Sequence, residues 1–192
     1  FYGLFLISLN KKWSTHLPTA GVSKNNINLF LTINPDFWNS LSNDHRIGLL
    51  KHELLHIAFN HLLTRESYSD HKLFNIAADL EINQYIKDAY LPEGAITPES
   101  FPDIQNLPRK AGTDYYYKLL EKENNKPRGN DGSPQNSVQE MMDSMNGDMH
   151  ESWKDFNDLS ETEKKLIKKQ VDYQLKEIAT ETRNSKGRST IP

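Results

Sequence analysis

The sequence contains no cysteine, which excludes disulfide scaffolds, thiolate zinc fingers, iron–sulfur ligation and cysteine nucleophiles together. Any metal must therefore be held by histidines and carboxylates. No long basic run occurs, and 23 Lys and Arg stand against 26 Asp and Glu, for a formal charge of −3. Such a balance does not serve nucleic-acid binding by phosphate neutralisation. Long apolar runs are missing as well. The opening stretch Phe1 to Leu9 is too short to span a bilayer and lacks the basic flank of a signal peptide, so the expectation is no membrane and a cytoplasmic location. Hydrophobic residues make up only 36% of the 192, and the mean hydropathy is −0.74. Part of the chain should then be solvated loop. The length suits a single domain over 1–192 with a core of its own. The chain opens on Phe1 rather than Met and closes on Ile191-Pro192, which reads as a segment of a longer product.

What is present reads as α+β. Phe1 to Leu9 is expected as a strand by composition, and Ile27 to Ile33, closed by Asn34-Pro35, as a second strand. The polar stretch between them reads as loop. Ser42 is placed to cap a long helix in which Ile47, Leu50, Leu54, Ile57 and Ala58 recur at three- and four-residue steps to about Leu63. Asp70 caps a second helix running to about Tyr90, ahead of Pro92. Pro92 to Gly112 reads as an ordered, irregular loop, with Thr113 or Asp114 capping a short helix after it. Residues 123–149, rich in Asn, Gly, Pro, Ser, Met and Asp, read as a flexible insertion that buries little. Ser160 and Glu163 fit a capping box for a last helix.

Within the long helix lies His52-Glu53-Leu54-Leu55-His56, an HExxH pattern. A four-residue step turns an α-helix by only about 40° and rises about 6 Å, so both imidazoles project from one face and can grip one cation. Glu53 sits about 60° from His56 around the axis, within reach of a water on that cation. The chemistry needs this division of labour: neutral imidazoles leave zinc electrophilic, and the carboxylate takes the proton as water attacks a carbonyl. With only 7 histidines, shuffling produces the pattern about 2% of the time.

A catalytic zinc needs a third protein ligand. His61 follows His52 by nine residues, about 180° around a continuing helix, and would point away. A glycine-turn arrangement is not met either, because Phe59 stands where the glycine would and the spacing is one short. Asp79 on the second helix is the next candidate, with Ala77 and Ala78 beside it to let two helices approach closely. Glu81, about 200° from Asp79, should face water. His71 is a reserve ligand, and His16 and His45 have no partner pattern.

The sequence also resembles a family of bacterial and phage zinc metallopeptidases that usually carry a von Willebrand factor A-like domain after the peptidase-like region. The resemblance rests on Phe1-Tyr2-Gly3, Thr19-Ala20-Gly21, Ile33-Asn34-Pro35-Asp36-Phe37, the HExxH segment with Asn60-His61, and above all Asn75 to Asn83. It continues more loosely through Leu91 to Gly94, Tyr116 to Leu120 and His150 to Trp153. It implies a zincin-like fold, one Zn2+ held by His52, His56 and Asp79, Glu53 as general base, and a peptide or protein substrate. As partners it implies a von Willebrand factor A-like domain or an ATPase. His150, ahead of Trp153, is placed like a histidine that hydrogen-bonds a tetrahedral oxyanion, or else is a surface histidine near a packing tryptophan. One of Tyr115, Tyr116 and Tyr117 could donate to the same oxyanion, with at least one of them in the core. Met141, Met142, Met145 and Met149 form either an adaptable contact surface or an incidental cluster. A catalytically silent, metal-stabilised interaction module is the competing function, and a metal-free structural protein a third.

Overall fold

The computed structural model describes residues 1–126, 136–144 and 150–188. It is an α+β fold with eight helices and three strands among those residues. The opening stretch is helical rather than a strand: α1 spans Tyr2–Ser8. Its seven apolar and aromatic residues carry no period-2 alternation. They sort at helical spacing instead, with Phe5 and Leu9 buried while Leu4 and Ile7 are exposed.

The polar stretch read as loop holds two strands, β1 (Asn10–Trp13) and β2 (Ala20–Asn25). With β3 (Asn28–Ile33) they make a mixed sheet in the order β1-β3-β2. β3, the one strand legible from hydrophobicity, is central, parallel to β1 and antiparallel to β2. Its neighbours are edge strands, β1 polar and exposed, as an edge permits, and β2 buried over Ala20 to Ser23. Asn26 turns the β2–β3 hairpin with φ 53°, a left-handed conformation that asparagine tolerates. Ala20, Leu31 and Ile33 pack under Leu49 and Leu50, which seats the sheet against the long helix.

That helix, α3, spans Asn43–Ala58 and follows the short α2 (Pro35–Ser40). Ser42 Oγ accepts from the His45 amide at 3.1 Å, the cap expected. The helix stops short of Leu63. Asn60 takes φ 61°, and α4 (His61–Thr64) sets off separately. α5 (His71–Asn83) is capped by Asp70, whose side chain accepts from Leu73 N at 2.9 Å. Every residue from Leu73 to Asn83 is buried, so α5 is the central helix of the core.

The loop after α5 is irregular, as expected, and is pinned by buried Ile96 and Phe101. α6 spans Thr113–Asn124. Its cap position is Gly112, at φ 95°, rather than Thr113 or Asp114, because the Thr113 hydroxyl is engaged by Glu81. The region read as an insertion is in part anchored. α7 spans Ser137–Ser144 and buries Val138 completely, with Met141 and Met142 against the main core. The remainder of that region, including Met145 and Met149, lies outside the described residues. α8 (Glu161–Arg188) starts at the expected capping box: Ser160 Oγ accepts from the Glu163 amide at 3.3 Å, and Glu163 accepts from the Ser160 amide at 2.8 Å. Among the described residues no helix is long and apolar enough to cross a membrane.

Candidate metal centre

α3 and α5 cross where His52, His56 and Asp79 meet, and the turn at 150–156 brings His150 to them from the sheet side. The four residues each offer a ligand atom, all within 4.8 Å of one another. Asp79 Oδ1 lies 3.2 Å from His56 Nε2, 3.6 Å from His52 Nε2 and 3.1 Å from His150 Nε2. Two glycines let the surrounding elements close in. A Cβ on Gly48, one turn before His52, would stand 1.9 Å from the Tyr90 carbonyl oxygen. A Cβ on Gly21 of β2 would meet Ser152 Oγ at 2.7 Å. His150 itself stacks on Trp153, with ring centroids 4.0 Å apart and an interplanar angle of 11°, and His56 meets the same indole edge-on.

The histidine tautomers follow from their outer partners. Asn83 Nδ2 donates to the Ile96 carbonyl at 2.9 Å, so its Oδ1 faces His52 Nδ1, also at 2.9 Å, and can only accept. His52 therefore carries its proton on Nδ1 and presents a lone pair on Nε2. His56 Nδ1 is held 2.9 Å from His61 Nδ1, which leaves its Nε2 facing inward, 2.9 Å from His52 Nε2. Two imidazole nitrogens and a carboxylate oxygen converge in a buried place, and a cation is what such a donor set accommodates. The residues fit a metal ion.

Electrostatics favour a neutral His56 beside a charged Asp79. Burial, with His52 adding to it, drives His56 well below the usual histidine range, against the opposing pull of Asp79. Burial alone would raise the Asp79 carboxyl, but the nearby His150 and His52, with the hydrogen bond from His150, hold it well below the usual carboxylate range. Glu53 is the contrast. Desolvation, opposed by His52 and reinforced by Asp79, pushes its carboxyl up to about 7. Its Oε2 is buried with no hydrogen-bond partner among the described residues.

Glu53, His52, Asp79 and His150 share the wall of a cleft of about 240 Å3, whose other lining is mainly apolar, including Phe37, Leu41, Leu49 and Ile96. His45 stands at the same cleft. The three tyrosines do not. Tyr116 is fully buried, its hydroxyl donating to the Pro108 carbonyl at 2.7 Å, and Tyr117 accepts from Asp70 N at 3.2 Å. Tyr115 is exposed. His71 lies 3.6 Å from Glu66, away from the cluster.

Two residues depart from the helical-wheel reading. Glu81, expected in water, is buried and accepts from Thr113 N at 2.6 Å and from Thr113 Oγ1. α5 is packed all round, so its far side is not solvent. His61, expected to point away, is carried behind His56 by the left-handed Asn60. Neither Thr113 nor the His61–Glu81 layer was identified from sequence. The signal that could have found it is Asn60-His61 immediately after the motif, since asparagine readily adopts the left-handed turn that redirects a helix.

A histidine and carboxylate group able to take a metal ion, beside a cleft with a buried free carboxylate, is the equipment of a metal-dependent hydrolase. The chain matches the family model described as "Putative metallopeptidase domain" over residues 1–188, and it belongs to that family. Among curated proteins and among solved structures, nothing matches the chain.

Proposed function

We propose that the chain is a zinc-dependent peptidase with a zincin-like layout, in which His52, His56 and Asp79 hold the ion and Glu53 is the general base. The observation that carries this reading is the Glu53 carboxylate, buried and unpartnered among the described residues on the wall of the cleft that His52 and Asp79 also line. A bound zinc supplies Lewis acidity that polarises a carbonyl and acidifies a water. Glu53 Oε2 has room to take the proton of a water entering from the cleft and to pass it to the departing amine. In this reading His150, stacked on Trp153, exchanges the bond its Nε2 makes to Asp79 at 3.1 Å for one to the oxygen on which negative charge develops. The apolar cleft walls exclude water and orient an extended peptide. A peptide or protein substrate is supported by the family, and a von Willebrand factor A-like domain or an ATPase as partner by the resemblance alone.

The test is Glu53→Gln. Hydrolysis of a mixed peptide library should fall at least about a hundredfold while metal content stays at one ion per chain. Unchanged hydrolysis would sink the mechanism. A metal-loaded native chain inert on peptides and unaltered by the substitution would instead favour the interaction module.

A further inference from the structure

Behind the candidate ligand His56 runs a buried chain of groups that the proposed reaction does not use: His61, Thr113 and Glu81. Its polarity can be worked out from the far end. The Thr113 hydroxyl has one proton, and it is donated to Glu81 Oε2, which also accepts the Thr113 amide at 2.6 Å. Thr113 Oγ1 can then only accept from its other neighbour, His61 Nε2, at 2.9 Å. The His61 proton therefore sits on Nε2 and its lone pair on Nδ1. Across from that lone pair, 2.9 Å away, is His56 Nδ1, which must carry the proton and donate it. The remaining lone pair of His56 is on Nε2, the atom that faces His52 and Asp79.

From this we propose that Glu81 is a positioning residue for the metal centre, acting through Thr113 and His61 to lock His56 in the one tautomer that presents Nε2 to a cation. The inference rests on the reading of the site as a metal centre and adds its outer support. Both imidazoles of α3 are then set from outside, His52 by the Asn83 side chain and His56 by this longer chain. The two differ in kind. Asn83 is neutral and borrows its orientation from the Ile96 carbonyl, whereas the His56 chain ends on a carboxylate, which raises the basicity of the ligand nitrogen. The elements recruited are also distant in sequence: α3 and α4 supply the histidines, α5 the carboxylate and the first residue of α6 the hydroxyl. The start of α6 is thereby tied to the centre, and Thr113 is drawn away from capping its own helix.

The experiment has two arms. In the Zn2+-loaded native chain, long-range 1H–15N spectra of the histidine rings should report the proton on Nδ1 for His56 and on Nε2 for His61; a His61 ring protonated on Nδ1 instead overturns the proposal. In the second arm, Co2+ and Zn2+ binding is measured for native, Thr113→Val, Thr113→Ser and Glu81→Gln chains. Thr113→Val and Glu81→Gln should bind about ten- to a hundredfold more weakly, with an altered visible spectrum of the Co2+ form, and Thr113→Ser should recover native binding. A native chain that binds one ion, with Thr113→Val equal to it, overturns this inference alone. A native chain that binds no ion overturns it together with the metal reading.

Discussion

A buried carboxylate oxygen without a hydrogen-bond partner costs folding free energy, and Glu53 Oε2, beside a cleft, has none among the described residues. Its neighbours His52 and His56 are each held by a second residue, while Glu53 is left free for something that enters. Glu53→Gln should therefore separate stability from activity. In the metal-free chain at neutral pH the amide variant should be at least as resistant to urea as the native protein, by about 1 kcal/mol, even though hydrolysis is lost. A marked destabilisation would mean that Glu53 is structural. The same scale shows what could be read from residues in order. His52, Glu53 and His56 were legible because their relation is local and set by helix geometry. Asp79 was reachable as the acidic residue beside two alanines on the next helix. His150 could be named only as one of two alternatives, because its contact with Asp79 spans 71 positions. The His61–Thr113 contact spans 52, and no periodicity carries that.

Elements place these residues, and the close approaches between elements are where substitutions should be felt. Gly48 lets the turn at Asp88–Tyr90 lie directly on α3, with a backbone oxygen where a side chain would begin. Gly48→Ala has no flexible side chain to push aside, so it should destabilise by about 1–3 kcal/mol in urea unfolding and weaken metal binding by shifting the turn of helix that carries His52. Native stability in that variant would show that the turn yields freely. α3 was legible as an element through its Ser42 cap and its apolar spacing, but its end was not, since the apolar pattern runs on through Leu62 and Leu63 while Asn60 breaks the backbone. α1 was misread because seven apolar and aromatic residues without alternation fit a strand or a helix equally until a neighbour covers one side. β1 escaped notice as an exposed polar edge strand, and β2 because its buried Ala20, Gly21, Val22 and Ser23 include a single large apolar residue. At the far side of the core, Asp103 accepts from the Ser137 amide at 3.2 Å and from its hydroxyl, fastening the start of α7. Burial would raise the Asp103 carboxyl, but these bonds hold it below its usual value. Its contribution is then fully present above the unfolded carboxylate pKa and is lost as pH falls through the lower folded value. Amide exchange at Val138, followed across acid pH, should show α7 loosening before α5 does, and simultaneous loosening of both would count against that anchor.

In the whole molecule the candidate ligands tie together parts that the rest of the core joins only by packing: α3, the central α5 and the turn at 150–156 that lies on β2. The α+β class was legible from the alternation of apolar runs and capped helices, whereas the route by which the chain returns to β2 at Ser152 was not, because it follows residues 123–149, whose composition carries little apolar pattern. An ion held at such a junction binds the native state and has no comparable site in the unfolded chain, so it should stabilise by mass action. With free ion at about a hundred times its dissociation constant, the gain is about 2.7 kcal/mol, or roughly 5–10 °C in the unfolding midpoint of a domain this size. Scanning calorimetry of the native chain with and without a chelator should show that difference. Asp79→Ala, which removes the oxygen shared by three histidine contacts, should unfold at one temperature whether or not the chelator is present. If the native chain also ignores the chelator, α3 and α5 are held by packing alone and the cluster is a buried polar network rather than a metal centre; if both respond equally, the ion sits elsewhere on the molecule.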